Sequence, residues 1–210
     1  MAETILILAK MLEELRAIDA SSAILRLFSV RLFVFNNKNT WVIANINILT
    51  NLYNLFQMGF YLKVSTKIIQ IIIQAYAWFF WNEQDQQDKQ SISKISASDM
   101  QSTLIGVVLM VFSLSILQTI MQNHNNIVDT YIEVAMICLN YTGLWLSVNR
   151  KIECWMIWGL YNFISAYAYF SHQLPCNAIG SIIMIILAIQ GYFHWLYLAD
   201  KDSKNIAAIP

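Results

Sequence analysis

Long apolar segments recur along the whole sequence, and their length constrains the fold more than any other feature. The clear ones cover residues 40–61, 64–82, 102–122, 128–148, 153–171 and 177–198. Each is close to the roughly 20 residues that a helix needs to cross the hydrocarbon core of a bilayer. Such continuous segments favour helices over a membrane barrel, whose strands of about 10 residues would alternate in polarity.

The composition agrees with a membrane location. Hydrophobic residues make up 58% of the chain and charged residues 12%, and the mean hydropathy is +0.50. Soluble domains carry about 25% charged residues. The formal charge is zero, so no nucleic-acid partner is expected. The histidines and three cysteines form no metal-ligand spacing, so we expect no metal and no cofactor.

The first 36 residues contain two further segments, both of them less apolar than the six clear ones. Residues 1–18 combine apolar residues with a charged face, which predicts an amphipathic helix lying in the membrane interface. Residues 19–36 contain Arg26 and Arg31 within an apolar segment. A central arginine costs about 2.5–3.5 kcal/mol on insertion scales. If residues 19–36 form a span, which would bring the total to seven, the arginines need protein neighbours or must extend their side chains to the membrane interface. No cleavable signal peptide is predicted ahead of it.

A helix pair bearing tryptophans and amides occurs twice. The first copy runs from Lys38 to Asn47 and then from Gln74 to Trp81, and the second covers residues 150–162 and 190–195. Asparagine and glutamine are costly in lipid, so these side chains are expected to face one another or a ligand. The repetition predicts two halves enclosing one site.

This repetition predicts the domain organisation. We expect a three-helix repeat at 19–82, a polar loop and linking helix at 83–126, a second three-helix repeat at 127–198 and a tail at 199–210. Four spans separate equivalent helices, so the repeats are expected to be parallel. Lysine and arginine are more numerous on the side of the C-terminus, which predicts a cytoplasmic C-terminus and an external N-terminus.

The second helix pair carries a resemblance to a known family. The stretch from Arg150 through Trp158 and Asn162 to Ser165, the late Gln190-Gly191 with Trp195, and the aromatic segment 76–81 resemble the PnuC family of vitamin transporters. The resemblance covers the chain from about residue 19 to residue 200. It implies a doubled three-helix, SWEET-like bundle in the bacterial inner membrane, assembled as a homotrimer.

The family also implies a function. Its members import nicotinamide riboside, and relatives take thiamine or riboflavin, by facilitated diffusion followed by trapping through a cytoplasmic kinase. The chain departs from the family pattern in places. Ile43 and Ala44 replace an aromatic residue and a glycine, Ala77 replaces another glycine, and Thr66-Lys67 falls on a Leu-Gln pair. A cationic Lys67 near the pocket would disfavour a cationic substrate unless it pointed to the interface.

Candidate substrate-binding residues follow from the repeat and the resemblance together. Trp158 and Asn162 are four residues apart and therefore share a helical face. Trp158 would stack on a flat heteroaromatic ring by cation–π attraction, while Asn162 would hydrogen-bond an amide or a ribose hydroxyl. The remaining candidates are Asn47, Gln74, Trp78, Glu133, Trp155 and Gln190, with the Glu133 carboxylate able to balance a cationic substrate.

Each assignment has a structural alternative. The amides could instead connect neighbouring helices. Tryptophans collect at membrane interfaces, which would account for Trp41, Trp81, Trp145 and Trp195. Gly143 and Gly159 are expected to be close-packing points.

Three classes of function remain open at this stage. The first is a vitamin facilitator with alternating access, for nicotinamide riboside or else thiamine or riboflavin. An intramembrane enzyme would need a nucleophile–base pair, a pair of aspartates or an HExxH motif at membrane depth, and the sequence offers none, so no catalytic residue is assigned. A non-transporting binding or assembly subunit would show the same pocket residues.

Overall fold

The computed structural model of the protein describes residues 21–57, 61–86, 92–107, 109, 127–171 and 175–207. Within these ranges it contains seven helices and no strand. They are α1 (21–34), α2 (Asn39–Gln57), α3 (Tyr61–Gln86), α4 (97–107), α5 (Ile127–Val148), α6 (Cys154–Ser171) and α7 (Pro175–Ala207). The all-helical prediction is confirmed. The predicted interfacial helix at 1–18 and most of the predicted span 102–122 lie outside the described residues.

The helices group into two compact units, Met1–Asp88 and Lys89–Pro210. In the first unit α2 packs against α3, and in the second α6 packs against both α5 and α7. The boundary falls inside the segment predicted as a polar loop and linking helix.

Two helices continue beyond the predicted spans. Helix α3 reaches Gln86, and its last turns interact with the α1–α2 turn, where Lys38 donates a hydrogen bond to Asn82 and lies 4.0 Å from an Asp85 carboxylate oxygen. Helix α7 continues into the segment predicted as a tail and reaches Ala207. Residues 192–209 contain no glycine and no proline that would break the helix. The charged residues after 199 therefore end the apolar segment without ending the helix.

The turn that ends α1 recurs at the end of α5. Asn36 and Arg150, which lie 114 positions apart, have left-handed backbones with φ of 53° and 50°. In both turns the next residue donates its N–H to a carbonyl five residues earlier, the pattern of a Schellman motif. These bonds join Asn37 to Leu32 at 3.0 Å and Lys151 to Leu146 at 2.9 Å.

A buried tryptophan pair recurs at the same spacing. The rings of Trp41 and Trp81 meet edge-on with centroids 5.3 Å apart at 86°, and those of Trp155 and Trp195 do so at 5.4 Å and 87°. All four side chains are buried, with at most 4% of their surface exposed. An interfacial belt is therefore the wrong interpretation for Trp41, Trp81 and Trp195, because the helix pairs bury these rings. Trp145 is 55% exposed, as a belt residue would be.

Polar side chains lie inside and apolar ones outside on several helices. On α3, Gln70 and Gln74 are buried. The exposed large apolar side chains of the same helix are Ile68, Ile69, Ile72, Tyr76 and Phe79. Exposed apolar surface of this extent is rare on soluble monomers and suits a lipid environment. Among the described helices, the segment Ala178–Lys201 passes a length and hydropathy test for a span, with 24 residues and a mean hydropathy of 1.8. The segment Val134–Val148 is apolar but shorter.

Candidate functional site

The start of α6 is fixed by a short extended segment, residues 92–96, which we call the strap. The Ser93 N–H donates to the Arg150 carbonyl at 3.2 Å, and its own carbonyl accepts the Ile152 N–H at 3.1 Å. Lys151 also forms an ion pair of 2.9 Å with Asp99, just beyond the strap. These bonds hold the α5–α6 turn, and with it the first turn of α6. The sequence indicated only a polar loop here.

The ion pair has an electrostatic consequence at the surface. The hydrogen bond from the Lys151 ammonium, followed by that from Ser96, holds the pKa of Asp99 below its ordinary value. Ser96 also caps α4, because its hydroxyl oxygen accepts the Asp99 N–H at 3.1 Å.

The side chain of Trp158 is held in place by two residues of the neighbouring helix α5. Its indole N–H donates to Ser147 Oγ at 3.0 Å, and Ser147 Oγ donates in turn to the Gly143 carbonyl at 2.6 Å. A Cβ at Gly143 would lie 3.0 Å from the Trp158 ring, so this glycine is a close-packing point, as predicted. Tyr161 meets the ring edge-on at 6.0 Å. The indole is thus held in one orientation while staying half-buried.

Asn162 lies one turn after Trp158 on the same face of α6. Its amide nitrogen donates to the Trp158 carbonyl at 2.7 Å, and the side chain is buried. This bond uses one amide N–H and leaves the carbonyl oxygen as an acceptor. The structure therefore brings together a held aromatic ring and an oriented amide, the two groups that the spacing predicted on one face.

Trp155 occupies a different environment from Trp158. Its ring packs on Trp195, and a Cβ at Gly191 would lie 2.5 Å from it. The α6–α7 contact thus requires glycine at position 191. Trp155 is therefore part of the buried core of this unit, while Gln190, beside Gly191 on α7, is exposed.

Two further positions were singled out from the sequence, Glu133 and Gly159. Glu133 belongs to α5, but its side chain lies outside the described residues. Gly159 has nothing within 4 Å of the position its Cβ would take. The prediction of a close-packing point at Gly159 is therefore wrong. The residue lies instead in a shallow apolar groove of about 230 Å³ between α6 and α7.

In the first unit, a polar row lies on the buried face of α3. Gln74 is 5% exposed, and its carbonyl oxygen has no hydrogen-bond partner among the described residues. The same holds for the indole N–H of Trp78, one turn later. One turn before Gln74, Gln70 is 9% exposed and accepts a hydrogen bond from Lys67 at 3.1 Å. We call Lys67, Gln70, Gln74 and Trp78 the α3 polar row.

Sequence reasoning missed Gln70, although its spacing of four residues from Gln74 places it on the same face. It also missed Asn45 on α2, whose buried carbonyl oxygen has no hydrogen-bond partner within the described part of the chain. Asn47, the predicted residue of that helix, is partly buried, and its backbone carbonyl accepts the Thr50 hydroxyl at 2.8 Å. The candidates thus form two sets, one in each unit.

The comparisons with known proteins are consistent with this architecture. A family model described as nicotinamide mononucleotide transporter matches residues 16–197. A crystal structure of the vitamin B3 transporter PnuC matches the chain with a TM-score of 0.71 at 11% sequence identity, covering 94% of this chain and 88% of that one. A comparison with curated proteins gave no significant match. At 11% identity the structural similarity supports the fold alone. The family model, which spans most of the sequence, supports membership of the family. The chain is therefore a member of the nicotinamide mononucleotide transporter family, the PnuC family of membrane transporters.

Proposed function

We propose that this chain imports a vitamin precursor across the bacterial inner membrane, with nicotinamide riboside as the leading substrate. The observation that carries the proposal is the pair of Trp158 and Asn162 in a chain that the family model matches over residues 16–197. The solved relative is a vitamin B3 transporter, which supports the same class of substrate.

The chemistry of the pair suits a nicotinamide nucleoside. The face of an indole attracts a ring cation by about 0.5–2 kcal/mol, depending on how far the pair is desolvated. Nicotinamide riboside carries such a cation. The free carbonyl oxygen of Asn162 can accept a hydrogen bond from a carboxamide or a ribose hydroxyl, worth a net 0.5–1.5 kcal/mol or so. In the other unit, Gln74 and Trp78 of α3 offer a second buried acceptor and a second aromatic ring.

The proposed mechanism is facilitated diffusion by alternating access. Helix rearrangement would expose the bound nucleoside first to one side of the membrane and then to the other, and a cytoplasmic kinase would trap it by phosphorylation. A ligand shifts such an equilibrium only through its different affinities for the two conformations. Moderate affinity is therefore expected, because very tight binding would slow release.

We further propose that 19–82 and 127–198 are three-helix repeats joined by a linking helix within 83–126. The turns at Asn36 and Arg150, and the tryptophan pairs in each unit, support this proposal because they share one spacing and one geometry. A cytoplasmic C-terminus and a homotrimeric assembly complete the proposal. A reporter fused after residue 210 and mass measurement in detergent would test these two points.

Thiamine is the second candidate substrate, because it also carries a ring cation that the Trp158 face would accept. Riboflavin is larger and neutral and would need a roomier pocket.

Uptake into sealed vesicles tests the proposed function. Purified protein in liposomes containing a nicotinamide riboside kinase and ATP should accumulate labelled nicotinamide riboside, while Trp158→Ala should not. Trp145→Ala is the matched control, since that tryptophan is exposed at the surface of the unit. Binding without uptake would identify a non-transporting receptor. If labelled thiamine accumulates in matched liposomes that contain a thiamine kinase instead, while nicotinamide riboside does not accumulate with its own kinase, the substrate is thiamine.

A further inference from the structure

The two units fill the contact between their second and third helices differently. In the second unit α6 meets α7 along small residues, and a Cβ at Gly191 would lie 2.5 Å from the Trp155 ring. Gly159 and Ala188 line the shallow apolar groove of the same contact. Small residues at such positions allow two membrane helices to approach closely. The α6–α7 contact is therefore tight and apolar.

The α2–α3 contact of the first unit carries larger side chains. The residues 114 positions before those three small ones are Asn45, Gln74 and Ala77. Ala77 is fully buried, so the first unit accommodates a methyl group at the position where the second would place one against a tryptophan ring. Asn45 and Gln74 add two amides to a contact that the second unit makes with a glycine and an alanine. The α2–α3 contact is therefore more polar and has room for larger groups.

Asn45 and Gln74 belong to the helix faces that meet. Trp41 near the start of α2 packs on Trp81 near the end of α3, so the two helices run in opposite directions. Asn45 follows Trp41 by four residues and Gln74 precedes Trp81 by seven, which keeps both amides on the faces of that tryptophan pair. At 1.5 Å per residue, Asn45 lies about 6 Å along the axis from the pair and Gln74 about 10.5 Å. Trp78 of the α3 polar row lies about 4.5 Å from it, so the three groups fall within about 6 Å along the axis.

The hydrogen bonds of these three groups are incomplete in a complementary way. The carbonyl oxygens of Asn45 and Gln74 and the indole N–H of Trp78 are buried and have no partner among the described residues. Gln74 as a whole is 5% exposed. One donor cannot satisfy two acceptors, but a small molecule that donates twice and accepts once would complete all three. Water has this capacity, and buried water typically makes about three hydrogen bonds to groups that otherwise lack them.

We propose that the α2–α3 contact of the substrate-free protein contains an internal water-binding site. One water molecule donates to Asn45 Oδ1 and Gln74 Oε1 and accepts the Trp78 N–H. The inference rests on the correspondence between the two units that forms part of the proposed function. At the corresponding positions of α6 and α7, Gly159 and Ala188 have no polar side-chain atom, so that contact is dry. An unpaired buried polar atom costs stability, so the water stabilises the first unit.

A crystal structure of the substrate-free, full-length protein, at a resolution that shows ordered water, tests the site directly. One water should lie about 2.7–3.2 Å from Asn45 Oδ1, Gln74 Oε1 and Trp78 Nε1. No water should lie between Gly159 and Ala188. A direct hydrogen bond between the Asn45 and Gln74 side chains, or three groups that meet no water, would overturn the inference. The same structure tests the correspondence between the units separately, by superposition of α1–α3 on α5–α7.

Thermal unfolding in detergent provides a second readout, because the two possible outcomes differ in sign. Asn45→Leu and Gln74→Leu each remove one acceptor. With water bound, each change should lower the midpoint of unfolding by about 1–6 °C, and the double variant should lose less than the sum because both acceptors share one water. Without water, each carbonyl oxygen is an unpaired buried atom, and its removal should raise the midpoint. A higher midpoint in both single variants would therefore overturn the inference.

Gln86→Leu is the matched control. Gln86 is exposed at the end of the same helix, so the same change of an amide to an apolar group should leave the midpoint nearly unchanged. Neither readout involves a substrate. Failure of the water site would therefore leave the proposed transport standing, and failure of vesicle uptake would leave the water site standing.

Discussion

The indole N–H of Trp158 donates a 3.0 Å hydrogen bond to Ser147 Oγ, and this bond orients the aromatic ring of α6 from the neighbouring helix α5. The ring rests over Gly143, where a Cβ would lie 3.0 Å away. The aromatic face that we propose for substrate stacking thus depends on two small residues of another helix. At the proposed site, such pre-organisation would lower the entropy lost when the ligand binds.

Ser147→Ala should weaken substrate binding without unfolding the protein. The change removes the acceptor for Trp158 Nε1, which costs about 0.5–1.5 kcal/mol and leaves the indole free to reorient. Affinity for nicotinamide riboside should fall about 2- to 13-fold, the range to which those energies correspond. Calorimetry on wild type and variant measures the loss.

Ser165→Ala is the control for that change. Like Ser147 on α5, Ser165 on α6 is buried. Its hydroxyl, however, donates to the Tyr161 carbonyl of its own helix. It should leave the affinity unchanged. Equal losses in both variants would show that Ser147 has no particular role in orienting the ring.

Gly191→Ala should destabilise the second unit. The added methyl would lie 2.5 Å from the Trp155 ring, and overpacking of a well-packed core costs about 1–3 kcal/mol. Gly159→Ala is the matched control within a neighbouring helix, because nothing lies within 4 Å of its Cβ position. There the better helix propensity of alanine should stabilise by up to about 1 kcal/mol. Thermal unfolding in detergent should move in opposite directions for the two variants, and a shared direction would contradict the packing described.

The ion pair beside the strap should give a pH-dependent contribution to stability. The folded protein lowers the pKa of Asp99, mainly through the Lys151 ammonium. The contribution is therefore complete above the unfolded value of about 3.9 and is lost as the pH falls through the lower, folded pKa. Asp99→Asn should consequently be less stable than wild type at neutral pH, by a small amount because the Asp99 side chain is half-exposed and solvent screens the pair.

A double-mutant cycle with Lys151→Met checks this assignment. Each single change should lower the thermal stability and speed hydrogen exchange in residues 92–96, and the double change should add little to either. The difference between wild type and Asp99→Asn should shrink in acid. A difference that persists at all pH values would assign the effect to something other than the ion pair.

The sequence predicted those parts of the fold that depend on local patterns. Apolar segment length located α5 and α6 within one residue at each end, and the spacing of Trp158 and Asn162 predicted their shared face. Helix ends were less predictable, because α7 continues through charged residues that end only the hydropathy signal. The interfacial interpretation of Trp41, Trp81 and Trp195 was wrong because composition does not reveal which rings pair across helices.

Contacts between residues far apart in the chain could not be predicted, because no local sequence pattern indicates them. The bonds from the strap to the α5–α6 turn join residues 57 to 59 positions apart, such as Ser93 with Arg150 and with Ile152. The requirement for glycine at position 191 depends on where Trp155 lies. By contrast, Gln70 could have been found from its spacing to Gln74, since both lie on one helical face.

The most direct test of the central claim is binding of nicotinamide riboside, thiamine and riboflavin, measured side by side on wild type, Trp158→Ala, Asn162→Ala and Trp145→Ala. Wild type and Trp145→Ala should bind nicotinamide riboside selectively, while loss of the ring or of the amide should weaken binding about tenfold or more. Binding that survives in both Trp158→Ala and Asn162→Ala, or no binding of any vitamin to wild type, would contradict the account.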